Sequence, residues 1–207
     1  MKENNKNVFI HSTSQVDCVD IGENTKIWQF SVILKGSRIG KNCNINYSCF
    51  VEQGVFLGDN VTVKSGIYLW EGIECEDDVF LGPNVVFTND LYPRSKNYNK
   101  PVKTLIKQGA SIGANSTILA GVKIGKYAMT GIASVITRDI PDYALYFGNP
   151  AKFKCWIDEY GNKLEEISPE EFVSCKTDKR YILKHGILSP KKKITLNYDP
   201  VFKFKEN

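Results

Sequence analysis

Residues 39–72 read IGKNCNINYSCFVEQGVFLGDNVTVKSGIYLWEG. Every sixth position in this stretch is a large apolar residue: Ile39, Ile45, Val51, Leu57, Val63 and Leu69. The series runs back through Ile33 and Ile27 to Ile21, and forward through Cys75 and Leu81 to Phe87. Four residues beyond each of these stands a small or branched residue, from Thr25, Ser31 and Ser37 through Cys43, Cys49 and Val55 to Val85 and Leu91. A period of six fits no α-helix, and it lasts too long for a hairpin meander. It suits short strands whose alternate residues face one side. Three residues after ten of these twelve apolar positions come Asn24, Gly36, Asn42, Gly54, Asn60, Gly66, Gly72, Asp78, Asn84 and Asp90. Gly, Asn and Asp tolerate positive φ, so these positions read as corners. Three such sides close a triangular coil, and the Gly-x-Asn turns at Gly22, Gly40 and Gly58 recur once per coil of three repeats.

The pattern stops at Asn89 and resumes at Ile112, Ile118, Ile124, Thr130 and Ile136, one residue out of phase, with corners at Asn115, Gly121 and Asp139. Residues 9–20 read as an imperfect first coil, 89–108 as an extruded loop, and 109–141 as the end of the solenoid. The expected organisation is a β-helix domain over 1–141 and an extension over 142–207. Ser168-Pro169-Glu170-Glu171 predicts a helix start, with Ser as N-cap and Pro at the first helical position. The Lys-rich last residues read as solvated.

Composition narrows the function classes. Lys plus Arg number 27 against 23 Asp plus Glu, a net charge of +4 that argues against nucleic acid. The N-terminus, Met-Lys-Glu-Asn-Asn-Lys, has no apolar stretch behind it, so neither a signal peptide nor a membrane span is expected and the location reads as cytoplasmic. Six cysteines occur, at 18, 43, 49, 75, 155 and 175, with no Cys-x-x-Cys pair. No metal site is therefore expected, and the cysteines read as free thiols. Cys43, Cys49 and Cys75 fall on interior positions, where a small core residue is the simplest reading.

The repeat, the loop, the closing segment Ser134-Val135-Ile136-Thr137-Arg138-Asp139-Ile140-Pro141 and Gly148-Asn149-Pro150-Ala151-Lys152 together resemble the hexapeptide-repeat acyltransferases over roughly residues 9–155. Ile27-Trp28-Gln29-Phe30, Val63-Lys64-Ser65-Gly66, Leu69-Trp70-Glu71-Gly72, Phe87-Thr88-Asn89-Asp90 and Pro93-Arg94-Ser95 are similar to the nucleotide-sugar 3-N-acetyltransferases of that family. The resemblance, not the spacing, implies a left-handed parallel β-helix, acetyl-CoA as cosubstrate, and a homotrimer with active sites between subunits. It implies the 3-amino group of a dTDP-3-amino-3,6-dideoxyhexose, galacto or gluco, as acceptor, for surface polysaccharide. A UDP-linked 3-amino uronic acid stays open, as does a non-catalytic β-helix scaffold, although a scaffold has little use for the loop.

The chain has only two histidines, His11 and His185, and neither lies at the loop. A hydroxyl acceptor requires deprotonation, whereas an amine that titrates near about 8 is already partly neutral. The missing base therefore points to an amine. Asn89 is expected to orient that amine, and Glu71, one coil below, to receive its ammonium form. Asp90, Arg94, Trp70 and Trp28 are the expected substrate-binding residues, with Arg94 gripping a phosphate and Trp28 posing the same question as Trp70 two coils earlier. By the resemblance, coenzyme A lies along the last coils. Gly131, Ala133 and Ser134 would admit the pantetheine, and Arg138 and Lys152 would meet the phosphates. Asn84 follows the corner pattern and reads as structural.

Overall fold

The computed structural model describes residues 7–97 and 99–191. Nineteen strands of two or three residues, from Phe9–Ile10 to Val135–Ile136, wind into three parallel sheets around one core. The first face stacks Phe9–Ile10, Lys26–Ile27, Asn44–Ile45, Thr62–Val63, Phe80–Leu81, Ser111–Ile112 and Met129–Thr130. The second runs from Gln15–Val16 through Val32–Ile33, Phe50–Val51, Tyr68–Leu69, Val86–Phe87 and Thr117–Ile118 to Val135–Ile136. The third holds Arg38–Ile39, Phe56–Leu57, Ile73–Cys75, Thr104–Ile106 and Lys123–Ile124. The chain visits the faces in that order, so this is the expected parallel β-helix.

Its core is the six-residue series. All twelve residues from Ile21 to Phe87 are buried, as are the small residues from Thr25 to Val85. Buried hydroxyls find carbonyl acceptors on neighbouring backbone: Thr25 Oγ1 donates to Gly40 O at 2.8 Å and Ser31 Oγ to Asn46 O at 2.9 Å. Leu91, the last of the small series, is exposed because the chain has already left the solenoid. Asn24, Asn42, Asn60, Asp78, Asn84 and Asn115 take positive φ at the corners, so Asn84 is structural as expected. Phe30, Ser48, Tyr127 and Ala133 take it too. Coil geometry there overrides a preference that costs roughly 1–2 kcal/mol against such residues.

The loop explains the phase shift. Phe80 stacks on Thr62 across one regular coil, three repeats of six. Ser111 stacks on Phe80 across a longer step, five repeats and one residue more. Thirteen residues are thereby extruded, and the odd one sets the new phase. The solenoid resumes earlier than the expected position 109, because Thr104–Ile106 pairs in full register with Ile73–Cys75 and both Thr104 and Ile106 are buried.

The extension begins without a break. Ile140 still bridges Ile124, and Ala144–Gly148 still extends the first face before turning back as Ala151–Trp156. The expected helix at Ser168 is absent: Glu165–Ser168 and Glu171–Val173 form a hairpin. Proline presets φ for the second position of a β-turn as well as for a first helical turn. Here the buried alternation of Phe172 and Ser174 selects strands. Two further strands, Arg180–Lys184 and Ile187–Pro190, complete a sheet over a second core of Tyr143, Leu164, Phe172, Tyr181 and Leu188. Asp158 anchors this module by accepting from Ser174 Oγ at 2.6 Å, from Asn162 and from the Tyr160 backbone. Burial alone would raise its pKa, but these donors outweigh it and hold the carboxyl below the usual range. The Lys-rich residues after 191 lie outside the described residues.

All six cysteines are free, and Cys43, Cys49 and Cys75 are buried in the main core. Burial pushes the Cys43 thiol up to about 11 and raises Cys49 and Cys75 as well, so none offers a thiolate near neutrality. Replacing any of the three by alanine is expected to lower stability by about 1 kcal/mol and to leave turnover unchanged. Thermal unfolding alongside steady-state rates measures this, and lost turnover at unchanged stability would restore a cysteine mechanism.

Candidate active site

Register builds the site. The pairs Phe50 with Tyr68, Tyr68 with Val86, Val86 with Thr117 and Thr117 with Val135 place the residues three further along in one column. That column is Gln53, Glu71, Asn89, Ala120 and Arg138, along the edge between the second and third faces. At about 4.8 Å per coil, Glu71 lies one step below Asn89 and Arg138 about 10 Å above it. The sequence alone puts Glu71 and Gln53 beneath Asn89. It does not reveal Arg138 on the same edge, because the loop hides that alignment from a count of regular coils.

Asn89 is half-buried, and its backbone carbonyl accepts from Val102 N at 3.0 Å, which closes the base of the loop. Its side-chain amide has no hydrogen-bond partner among the described residues. The same holds for the half-buried carboxylate of Glu71. Its backbone N–H donates to Glu52 Oε2 at 2.7 Å, and its side chain lies over Gly54, where a Cβ would sit 3.2 Å from Glu71 Cγ. An unengaged amide above an unengaged carboxylate, on fixed backbone, can receive an amine.

The other expected residues divide. The Asp90 carboxylate organises the loop, accepting from Tyr92 N at 2.8 Å and from Asn99 Nδ2 at 3.0 Å. Arg94 is exposed on the loop, and one of its nitrogens donates to Pro93 O. Trp70 lies against the second face, with ring centroids 5.6 Å from Phe50 and 5.9 Å from Tyr68, and its indole donates to Phe87 O at 3.0 Å. Trp28 does not share its edge. The two tryptophans are not a whole number of coils apart in the sequence, and Trp28 follows the first face, packed on Phe9 and donating to Asn44 Oδ1.

The expected coenzyme residues also separate. Gly131 heads the edge between first and second faces, above Gly82 and Gly113. A Cβ on Gly131 would stand 2.6 Å from Phe147 Cβ, so coil stacking itself requires glycine there. Ala133 is exposed on the same edge. Ser134 is fully buried, its hydroxyl donating to Gly131 O and accepting from Gly148 N, so it does not face a ligand. Arg138 and Lys152 are exposed and unpaired among the described residues. His11 sits at the foot of the first edge, about 19 Å of helix axis below Asn89, and His185 lies in an exposed turn of the extension. Among the described residues, no group of three His, Cys, Asp or Glu side chains is placed to hold a metal.

The repeat profiles described as "Bacterial transferase hexapeptide (six repeats)" and "Hexapeptide repeat of succinyl-transferase" match residues 18–53, and 37–70 with 106–129, respectively. A dTDP-3-amino-3,6-dideoxy-α-D-galactopyranose 3-N-acetyltransferase from Aneurinibacillus thermoaerophilus is 53% identical over 190 residues, covering 91% of this chain and 98% of that protein. The chain belongs to the hexapeptide-repeat acyltransferase family. A galactoside O-acetyltransferase of Lactococcus lactis is 33% identical to this acyltransferase, over 66% of the chain and 73% of the relative. Among solved structures, a UDP-N-acetylglucosamine acyltransferase from Bacteroides fragilis superposes with a TM-score of 0.55 at 20% identity, over 72% of this acyltransferase and 59% of that chain. A perosamine N-acetyltransferase from Caulobacter crescentus, in complex with CoA and GDP-perosamine, gives 0.50 at 18%, over 71% and 56%. These two likenesses concern the fold alone.

Proposed function

We propose that this acyltransferase moves the acetyl group of acetyl-CoA to the 3-amino group of dTDP-3-amino-3,6-dideoxy-α-D-galactopyranose. The observation that carries the reading is the 53% identity spanning 98% of a transferase with that acceptor. The site suits an amine, because the edge beside the loop offers a free amide and a free carboxylate and no histidine.

In this reading the Glu71 carboxylate attracts the sugar ammonium as it arrives, the ammonium releases one proton to solvent, and the Asn89 side-chain oxygen accepts a hydrogen bond from the resulting neutral amine, aiming its lone pair at the thioester carbon. The new N–C bond forms as the C–S bond breaks, and the departing thiolate takes the surplus amine proton. Arg94 and the unpaired heads of Arg138 and Lys152 meet phosphates. Proximity and orientation then supply several kcal/mol without a protein base.

The reading includes a homotrimer. The outward strand positions of the second face are Gln15, Val32, Phe50, Tyr68, Val86, Thr117 and Val135, none of them charged. The third face presents Arg38, Glu74 and Lys123. Phe30, Phe50, Tyr68 and Trp70 line an open groove of 420 Å³ on the second face. An apolar face of this extent favours a second copy. With that face turned to a threefold axis, the Asn89 edge of one subunit meets the Gly131 edge of the next, which joins the acceptor and coenzyme residues that a single chain keeps on separate edges.

Purified enzyme with acetyl-CoA and a panel of amino-sugar nucleotides, read as released thiol, tests the acceptor. The dTDP-linked 3-amino galacto sugar is expected to turn over fastest, with a pH profile whose midpoint follows the sugar amine. Preference for a UDP-linked uronic acid, or for a hydroxyl acceptor, overturns the assignment.

A further inference from the structure

The bonding between coils has a gap just below the point where the loop leaves. On the second face, the residue after each strand donates its backbone N–H to the coil above: Asp17 to Ile33 O, Leu34 to Val51 O, Glu52 to Leu69 O, Thr88 to Ile118 O and Leu119 to Ile136 O. Trp70 departs from this rule. Its indole Nε1, not its backbone nitrogen, reaches the corresponding acceptor, Phe87 O, at 3.0 Å.

Two threonines flank the gap from above. Thr88 Oγ1 accepts from Ala120 N at 2.9 Å and lies 3.3 Å from Ile118 O, to which it donates. Thr104 Oγ1, where the chain re-enters, accepts from the next backbone nitrogen, Gly121 N, at 3.0 Å. Buried backbone donors require partners, and side chains supply them where the ladder is interrupted. Phe87, Thr88 and Asn89 are thereby held from below by an indole, from above by a hydroxyl and from the side by Val102 N, while the Asn89 amide stays unengaged.

We infer that Trp70 and Thr88 are positioning residues for Asn89, fixing the backbone from which its amide reaches the acceptor amine. Trp70 acts through the Phe87 carbonyl and Thr88 through the Ala120 and Ile118 backbone, and neither touches the sugar. This rests on the proposed role of Asn89 in amine acetylation.

The test uses the intact enzyme with Trp70→Phe, which keeps a ring and removes the N–H, and Thr88→Val, which keeps the shape and removes the hydroxyl. Each is made alone and together with Asn89→Ala. Each single change is expected to lower kcat about 10- to 100-fold, with KM for both substrates within about twofold, because the loss is one of orientation. Thr88→Ser is expected to restore most of the rate. In the Asn89→Ala background neither change should cost more, since residues acting through one group are not additive. Additive losses, or a raised KM for the sugar at unchanged kcat, overturn the inference and make Trp70 a substrate contact. The ¹H–¹⁵N resonances of the Asn89 side-chain amide supply an independent readout. They should move in Trp70→Phe and Thr88→Val, and unmoved resonances also overturn it. Should Asn89→Ala keep the wild-type kcat, the role of Asn89 fails, while the resonances still decide whether Trp70 and Thr88 position it.

Discussion

Replacing Asn89 by alanine is expected to lower kcat roughly 10- to 1000-fold, the range for losing one orienting or oxyanion-type contact. The side chain is half-buried, unengaged and mounted on backbone held by Val102, so it has little structural work to lose. The variant should fold and melt within about 0.5 kcal/mol of the parent, as for a substitution that removes no cap, cavity-filling group or buried bond. His11→Ala and His185→Ala should leave kcat nearly unchanged, because His11 lies about 19 Å of helix axis below the level of Asn89 and His185 sits in the extension. Steady-state kinetics on the three variants measures this. Abolished turnover in His11→Ala, or in Glu71→Gln with both ligands still bound, would establish a protein base and sink the mechanism.

Placing a charge on the second face is expected to have an effect as large, by another route. Tyr68 is half-exposed at the centre of the uncharged stripe, against Phe50 and Trp70. In the proposed trimer, Tyr68→Arg would bury three guanidinium groups around the threefold axis, a cost of several kcal/mol per ion. The solenoid core lies on the other side of the sheet and should be undisturbed. Sedimentation should show a folded monomer whose turnover is at least about 100-fold lower, since the acceptor and coenzyme edges no longer meet. A parent protein that sediments as a monomer at micromolar concentration, or a monomeric variant with full turnover, would remove the shared-site arrangement.

Much of this is legible in the chain because the solenoid is nearly one-dimensional. Each interior position repeats with the same short period, so composition at that phase declares the core, and Ile21 to Phe87 are all buried. Asn89 and Glu71 emerge the same way, since counting by whole coils places one above the other wherever the coil is regular. The count fails across the loop, where the step is thirteen residues longer, so Arg138 reads as a coenzyme residue and its place on the Asn89 edge stays hidden. Trp28 and Trp70 look alike in the sequence, yet the interval between them does not make whole coils.

The repeat, its core, most of its corners, the point where the chain leaves the coil and the lack of a histidine there can all be read from the order of residues. Those are local matters of side-chain size, φ preference and period. Whatever depends on hydrogen-bond partners emerges only in the folded chain. Ser134 reads as a small residue for a ligand and is sealed between Gly131 and Gly148. Ser168-Pro169 reads as a helix start and turns a hairpin, because Phe172 packs with Tyr181 and Leu188 in the second core. Trp70 reads as a substrate-binding residue, and its indole donates to the Phe87 carbonyl. A pattern of residue types shows which face is wet or dry. Which backbone groups an extruded loop leaves unpaired, and which side chains then answer for them, is settled only when the coils above and below are in place.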